Sequence, residues 1–321
     1  MARERLLDYG GLDNEAKAGL ARHFEVYEWP GEEGKEAFLA KIGPSISGAA
    51  AGGDVGLPNA VIDRLPGLRI IASLGVGYDR IDTSHAISRG IMVTHTPDVL
   101  NDDVANLAIA HMLAATRRVV RFDRFVREGR WAGGEYRPLT HGIAGKTVGM
   151  VGLGRIGREI VRKLAVFGCD IVYHTRNPRQ DVALRHYPDL VVMAGDCDIL
   201  FVALPGGEAT TGLVDRHVIE ALGPEGTLIS IGRGSAVNEP ELVKALADGR
   251  LGAAGLDVFS NEPNVPPELF SMDNVVLTPH LGSATVETRK AMAGLAVDNL
   301  VSFLEHGKAI TPVPECRHLQ A

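Results

Sequence analysis

Arg233, Glu262 and His280 each sit just past a short apolar run. The three segments are Ser230-Ile231-Gly232-Arg233-Gly234, Asp257-Val258-Phe259-Ser260-Asn261-Glu262-Pro263 and Thr278-Pro279-His280-Leu281-Gly282-Ser283. In open parallel sheets, ligands gather outside the carboxyl ends of the strands, so polar residues at such places are candidates for one site. An Arg, a Glu and a His form a set that could reduce a 2-oxo acid. The imidazole titrates near neutral pH and can give a proton to the new hydroxyl. A carboxylate bonded to its other nitrogen would orient the ring and favour its charged form. The guanidinium can hold a substrate carboxylate and polarise the carbonyl. Asp257 and Ser283 stand at the same strand ends. Ser283 either touches substrate or caps the helix that follows.

The hydride for such a reaction needs a carrier, and the chain offers a place for one. The run Val148-Gly149-Met150-Val151-Gly152-Leu153-Gly154-Arg155-Ile156-Gly157 leads an apolar strand into G-x-G-x-x-G. Gly152 allows the tight turn, Gly154 lets backbone approach a pyrophosphate, and Gly157 lets helix and strand pack closely. Ile160, Val161, Leu164 and Phe167 then recur at helical spacing, and Gly168 stops the helix. Backbone amides and the helix dipole would face the phosphates. Gly152, Leu153, Gly154, Arg155, Ile156 and Gly157 are therefore expected to bind a dinucleotide.

A second strand, Ile171-Val172-Tyr173, follows. NAD-selective sites carry an acid near its end, ~20 residues past the glycines, to bond the ribose 2′-hydroxyl. Here the residues are Tyr173-His174-Thr175-Arg176-Asn177-Pro178-Arg179, with no acid before Asp181. Thr175, Arg176 and Arg179 would welcome a 2′-phosphate, since Arg donates to phosphate in bidentate fashion. The expected cofactor is NADP(H) in preference to NAD(H).

These segments need elements to hold them. Phe24-Trp29, Ile46-Ala51, Leu68-Leu74 and Ile91-Thr94 read as strands alternating with helices, which implies a parallel sheet covered on both faces. The first sheet also ends in Ser73-Leu74-Gly75-Val76-Gly77-Tyr78-Asp79, a turn able to present backbone amides to an anion. A long helix is expected from an Asn101/Asp102/Asp103 cap to Val120. A polar stretch, Glu128 to Gly142, precedes the glycine motif. Ile199-Leu204, Thr227-Ile231, Ala253-Val258 and Val275-Thr278 read as further strands. A last helix, Val286 to His306, returns to the first region. The fold class is α/β: two doubly wound parallel-sheet domains, a Rossmann nucleotide-binding domain (99–285) inserted in a flavodoxin-like substrate domain (1–98 and 286–321). Two chain crossings near residues 98 and 286 would make a hinge and a cleft.

The 321 residues are 45% hydrophobic and 23% charged, a balance that suits globular domains. No run approaches the ~20 apolar residues of a membrane span, and Met1 to Gly11 lacks the apolar core of a signal peptide. Cys169, Cys197 and Cys316 offer no disulfide framework and fit a reducing cytoplasm. A net charge of −7 argues against a nucleic-acid partner. No metal-ligand spacing is present. His95, His111, His141 and His174 read as structural, and Asp79 and Asp82 as turn and cap residues. Trp131 reads as an interface or core ring.

Together these motifs resemble the D-isomer-specific 2-hydroxyacid dehydrogenases, most nearly their glyoxylate/hydroxypyruvate reductase branch. The resemblance spans nearly the whole chain: Gly75-Val76-Gly77, Gly152 to Gly157, Gly232-Arg233-Gly234, Asn261-Glu262-Pro263 and Pro279-His280-Leu281-Gly282-Ser283. It implies Arg233, Glu262 and His280 as the catalytic trio, and a substrate site of Val76, Gly77, Arg233, His280 and Ser283. It implies that Asp257 contacts the nicotinamide amide, and that Leu204, Pro205, Ile231, His280 and Gly282 lie along the cofactor. The family's NAD-selecting acid falls on Thr175, a departure shared with NADPH-preferring members. The implied activity is reduction of a small 2-oxo acid to the D-hydroxy acid by a homodimer, with Trp131 near the partner subunit's pocket. A phosphoglycerate dehydrogenase, or a dinucleotide-sensing binding protein of the same fold, are the alternatives.

Overall fold

The computed structural model describes residues 3–320; the first two residues of the N-terminal segment and Ala321 lie outside it. The chain divides into two compact units, Met1–Leu100 with Ala284–Ala321, and Asn101–Ser283.

The first unit holds five parallel strands: β1 (Arg5–Gly10), β2 (Glu25–Glu28), β3 (Ile46–Gly52), β4 (Ile70–Leu74) and β5 (Met92–Thr94). Their order is β2-β1-β3-β4-β5, the doubly wound order of flavodoxin. Strands β3 and β4 are buried along their whole length, as expected of a sheet covered on both faces. The helices Asn14–His23 and Val286–His306 pack against each other over this core. The C-terminal helix begins at Thr285, whose side chain accepts from the Thr288 amide. Ser283 is thus not its cap.

The second unit holds seven parallel strands: β6 (Thr147–Val151), β7 (Asp170–His174), β8 (Arg185–His186), β9 (Ile199–Val202), β10 (Thr227–Ser230), β11 (Ala253–Leu256) and β12 (Val275–Leu277). Their order, β12-β11-β10-β9-β6-β7-β8, reverses direction between β6 and β9. That reversal is the switch point where Rossmann sheets bind dinucleotides. The sequence reading missed β1 and the two-residue β8.

The helix expected from residue 101 to Val120 is two helices, Asn101–Thr116 and Val119–Arg127. Thr116 donates its hydroxyl back to the Met112 carbonyl at 2.7 Å, and its own carbonyl accepts from His141 N. Such back-bonding weakens a helix. Arg118 then takes a left-handed conformation, φ 49°, and a second helix starts after it. Among the described residues no helix is long and apolar enough to cross a membrane.

Candidate active site

The carboxyl edge of the second sheet sets the predicted residues in spatial sequence. His280 follows β12, Asp257 to Glu262 follow β11, and Ile231 to Arg233 follow β10. Leu204 and Pro205 follow β9, the glycine loop follows β6, and Thr175 to Arg179 follow β7. Strand pairing therefore lays out His280, the glycine loop and the Thr175–Arg179 turn in one line, although they are far apart in the chain.

His280 adopts φ 53°, a left-handed backbone rare for a residue with a side chain. Its amide donates to the Asp257 and Thr278 carbonyls at 2.9 and 3.1 Å, which holds this turn. Its Nδ1 donates to Glu262 Oε2 at 2.8 Å. Glu262 Oε1 accepts from the Phe259 amide at 2.9 Å, so both carboxylate oxygens are fixed. The bond to Glu262 raises the His280 pKa above its ordinary value, against burial and the nearby Arg233 charge. Burial pushes Glu262 upward, but its bonds to His280 and Phe259 and the Arg233 charge outweigh this and hold it below the usual range. With Nδ1 committed, Nε2 is the nitrogen left to exchange a proton.

Arg233 is brought to this pair by Gly234. A Cβ at Gly234 would lie 2.0 Å from the Phe259 carbonyl carbon, so only glycine lets the two loops close up. The Ser260 hydroxyl donates to the Gly234 carbonyl at 3.4 Å across the same seam. Gly232 makes a similar approach to Leu204, and Ile231 is buried beside it.

Asp257 is 1% exposed and organises the His280 loop. Its Oδ1 accepts from Thr278 Oγ1 at 2.6 Å and Leu281 N at 2.7 Å, and its Oδ2 accepts from Gly282 N at 3.0 Å. Asp257 and Gly282 thus shape the loop that carries His280. His111, read from the sequence as structural, joins the same network. Its Nε2 lies 2.7 Å from Thr278 Oγ1. The Thr278 hydroxyl donates to Asp257, so His111 Nε2 must be the donor; Nδ1 is buried with no partner among the described residues, as suits the neutral Nε2–H ring. Burial lowers its pKa, in agreement. Nothing local in the sequence joins His111 to Thr278, 167 positions away.

The dinucleotide loop fits its expected ligand. A Cβ at Gly157 would lie 2.3 Å from the Gly152 carbonyl oxygen, so helix Arg155–Leu164 can approach the turn only with glycine there. A Cβ at Gly154 would meet no protein atom within 4 Å, which leaves the approach to the helix start open. Gly154 caps that helix without a side chain to compete for its first amides. Leu153 is 2% exposed and can offer a ligand only backbone.

At the end of β7, Thr175 Oγ1 donates to the Asn177 carbonyl at 2.7 Å and so shapes the turn. Tyr173 accepts from the Arg179 amide at 2.8 Å and staples its far side. Arg176 and Arg179 are exposed and in no salt bridge among the described residues. The next acid along the chain, Asp181, is paired with Arg158 at 2.9 Å and also feels the charge of Arg179.

In the first unit, the loop after β4 turns three successive carbonyls inward. Gly75 O accepts from Thr96 N at 2.9 Å, Val76 O from His95 Nδ1 at 3.0 Å, and Gly77 O from Ser73 Oγ at 3.4 Å. In a trans peptide the N–H points opposite to the C=O. The amides of Val76, Gly77 and Tyr78 therefore face the other way, and none has a partner among the described residues. Successive backbone amides left without partners can bind an anion.

Asp82 is a cap, as expected, accepting from His85 N at 3.0 Å. Trp131 is 58% exposed, which rules out a core role within the chain. Among the described residues no group of His, Cys, Asp or Glu could hold a metal ion.

Comparison with known proteins agrees with this geometry. Residues 109–282 match the family described as D-isomer specific 2-hydroxyacid dehydrogenase, NAD binding domain. The chain is 47% identical to Arabidopsis thaliana glyoxylate/hydroxypyruvate reductase A HPR2, over 94% of this chain and 95% of that one. It is 45% identical to the hydroxyphenylpyruvate reductase of Plectranthus scutellarioides, over 92% and 94%. Among solved structures, the NADPH-dependent glyoxylate/hydroxypyruvate reductase of Sinorhizobium meliloti, in complex with NADP and malonate, superposes with a TM-score of 0.91 at 44% identity, over 98% of both chains. The chain belongs to the D-isomer-specific 2-hydroxyacid dehydrogenases, in their glyoxylate/hydroxypyruvate reductase branch.

Proposed function

We propose that the protein is an NADPH-preferring reductase of small 2-oxo acids of the glyoxylate and hydroxypyruvate type. The observation that carries this reading is the His280–Glu262 pair at the end of β12, with Arg233 beside it on the same sheet edge as the glycine loop. When bound, the nicotinamide cofactor supplies the hydride. His280, kept protonated by Glu262, gives its Nε2 proton to the oxygen of the former carbonyl. Arg233 binds the substrate carboxylate and draws electron density toward the carbonyl oxygen. The amides of Val76 and Gly77 take the same carboxylate, and Ser283 borders the substrate. Gly152 to Gly157 cradle the pyrophosphate, with Leu204, Pro205 and Ile231 along the cofactor.

The preference for NADPH rests on charge. Arg176 and Arg179 are exposed cations at the ribose end, and Thr175 stands where a carboxylate would repel a 2′-phosphate. The NADP complex of the Sinorhizobium meliloti relative supports this choice.

We also propose a homodimer formed through the second unit. Trp131, Tyr136 and Leu139, close in sequence, are 58%, 83% and 92% exposed, a run of large exposed apolar rings and chains that suits an interface. The three cysteines are free, in keeping with a cytoplasmic enzyme.

Steady-state kinetics of His280→Ala and Arg233→Ala test the assignment. His280→Ala should lower kcat by about 10²–10⁴, the worth of a general acid, with little change in NADPH affinity. Arg233→Ala should lower kcat and raise the KM for the oxo acid together. Unchanged kcat in His280→Ala would remove it from the acid role.

A further inference from the structure

The reading of Val76 and Gly77 as carboxylate binders leaves open what aims their amides. Val76 C=O and Gly77 N–H belong to one peptide group. The carbonyl of that group accepts from His95 Nδ1 at 3.0 Å. A carbonyl oxygen only accepts, so Nδ1 carries the proton and the ring's role in this bond is settled. A donor on the carbonyl does two things to the N–H at the other side of the peptide. It fixes the plane, so that the N–H cannot swing away, and it polarises the amide, so that the N–H donates more strongly.

The ring itself is held firmly. His95 is 7% exposed. Its amide donates to Thr311 O at 3.2 Å, and its carbonyl accepts from Thr311 Oγ1 at 2.6 Å. Thr311 is in turn fixed by Asn299, a fully buried residue whose Oδ1 accepts from Thr311 N at 2.8 Å. Tyr78 packs edge-on against the imidazole at 5.3 Å and donates to Glu315 at 3.1 Å. A buried ring fixed at its backbone and flank is a stiff strut under one peptide group.

We propose that His95 is a positioning residue for substrate, which acts by orienting and polarising the Gly77 amide toward the carboxylate of the 2-oxo acid. This rests on the reductase reading given above. It assigns to the chain a substrate-positioning element outside the Arg233–Glu262–His280 trio: the carboxylate of the 2-oxo acid meets a preset pair of amides and needs no loop rearrangement.

The test compares wild type with His95→Phe, which keeps the ring shape without a donor, and His95→Asn, whose Nδ2 can take the place of Nδ1. Two readouts are used: the KM values for glyoxylate, hydroxypyruvate and NADPH, and the Kd of oxalate measured by calorimetry with NADP⁺ present. His95→Phe should raise the oxo-acid KM and the oxalate Kd by about five- to tenfold, the worth of one hydrogen bond, and leave the NADPH KM unchanged. His95→Asn should stay within about twofold of wild type, since it keeps the donor. If His95→Phe does not fold, His95→Gln, which retains bulk and polarity but carries its donor away from Val76, should show the same rise. Unchanged oxalate Kd in His95→Phe, or an Asn variant as impaired as the Phe one, overturns the proposal. Failure of the reductase reading looks different: the wild type would turn over no 2-oxo acid, yet oxalate would still bind and still weaken in His95→Phe. A wild type that binds no oxalate overturns the positioning role as well.

Discussion

Glu262 holds His280 through Nδ1 at 2.8 Å while the Phe259 amide holds Glu262 from behind at 2.9 Å. The imidazole is thus fixed at one nitrogen and free to act at the other. The pair also sets a pH window. Glu262 is lowered and His280 raised, so both are charged between the two values, and their attraction stabilises the fold most there.

The proposed reduction needs His280 protonated. Its raised pKa keeps the acid form to higher pH, and the rate of reduction should fall as pH rises through that value. Glu262→Gln removes the charge that raises it. The alkaline limb of the kcat/KM profile for the oxo acid should then move to lower pH, and reduction at pH 8 should slow. A limb that stays in place, measured by initial rates from pH 5 to 10, would detach Glu262 from this role.

Gly234 touches neither substrate nor cofactor in this account, yet it decides where Arg233 stands. Gly234→Ala puts a Cβ 2.0 Å from the Phe259 carbonyl carbon, so the loops must part. Displacing a binding group by ~1 Å costs about 10² in rate. The variant should lose about that much kcat/KM for the oxo acid while it keeps its NADPH affinity, by steady-state kinetics.

His111 carries a stability prediction. Burial holds its pKa below the ordinary 6.5, so the unfolded chain takes up a proton that the folded chain refuses. Stability from this source is full above pH 6.5 and declines as pH falls. His111→Gln offers Thr278 a donor that does not titrate. Its Tm should fall less than that of wild type between pH 7 and 5, by scanning calorimetry. Equal slopes would contradict the buried neutral imidazole.

The readable part of the site was local. A glycine loop after an apolar run, and a polar residue after each later run, are patterns carried by neighbouring residues. Parallel pairing then gathers them on one edge. The unreadable parts depend on distant or atypical residues. Strand β1 is central in its sheet, yet Asp8 is buried in it, 3% exposed, satisfied by the Gly10 amide and Lys17. A carboxylate inside a covered strand hides it from an apolar-run reading. The break at Arg118 is fixed by Thr116 bonding backward and by an amide 25 positions ahead, at His141. His95 and His111 were read as structural because their partners, Val76 and Thr278, lie 19 and 167 positions away.

The central claim, a 2-oxo acid reductase that prefers NADPH, is tested most directly by the loss of reduced-cofactor absorbance with glyoxylate and hydroxypyruvate. NADPH and NADH are compared in wild type and in the Arg176→Ala/Arg179→Ala double variant. The account predicts faster oxidation of NADPH by wild type. In the double variant the KM for NADPH should rise about tenfold or more while that for NADH stays, since a charge-assisted bond is worth about 1.5–3 kcal/mol. Wild-type preference for NADH, or a double variant with unchanged NADPH KM, would contradict the cofactor assignment, and no oxidation of either cofactor would contradict the reductase itself.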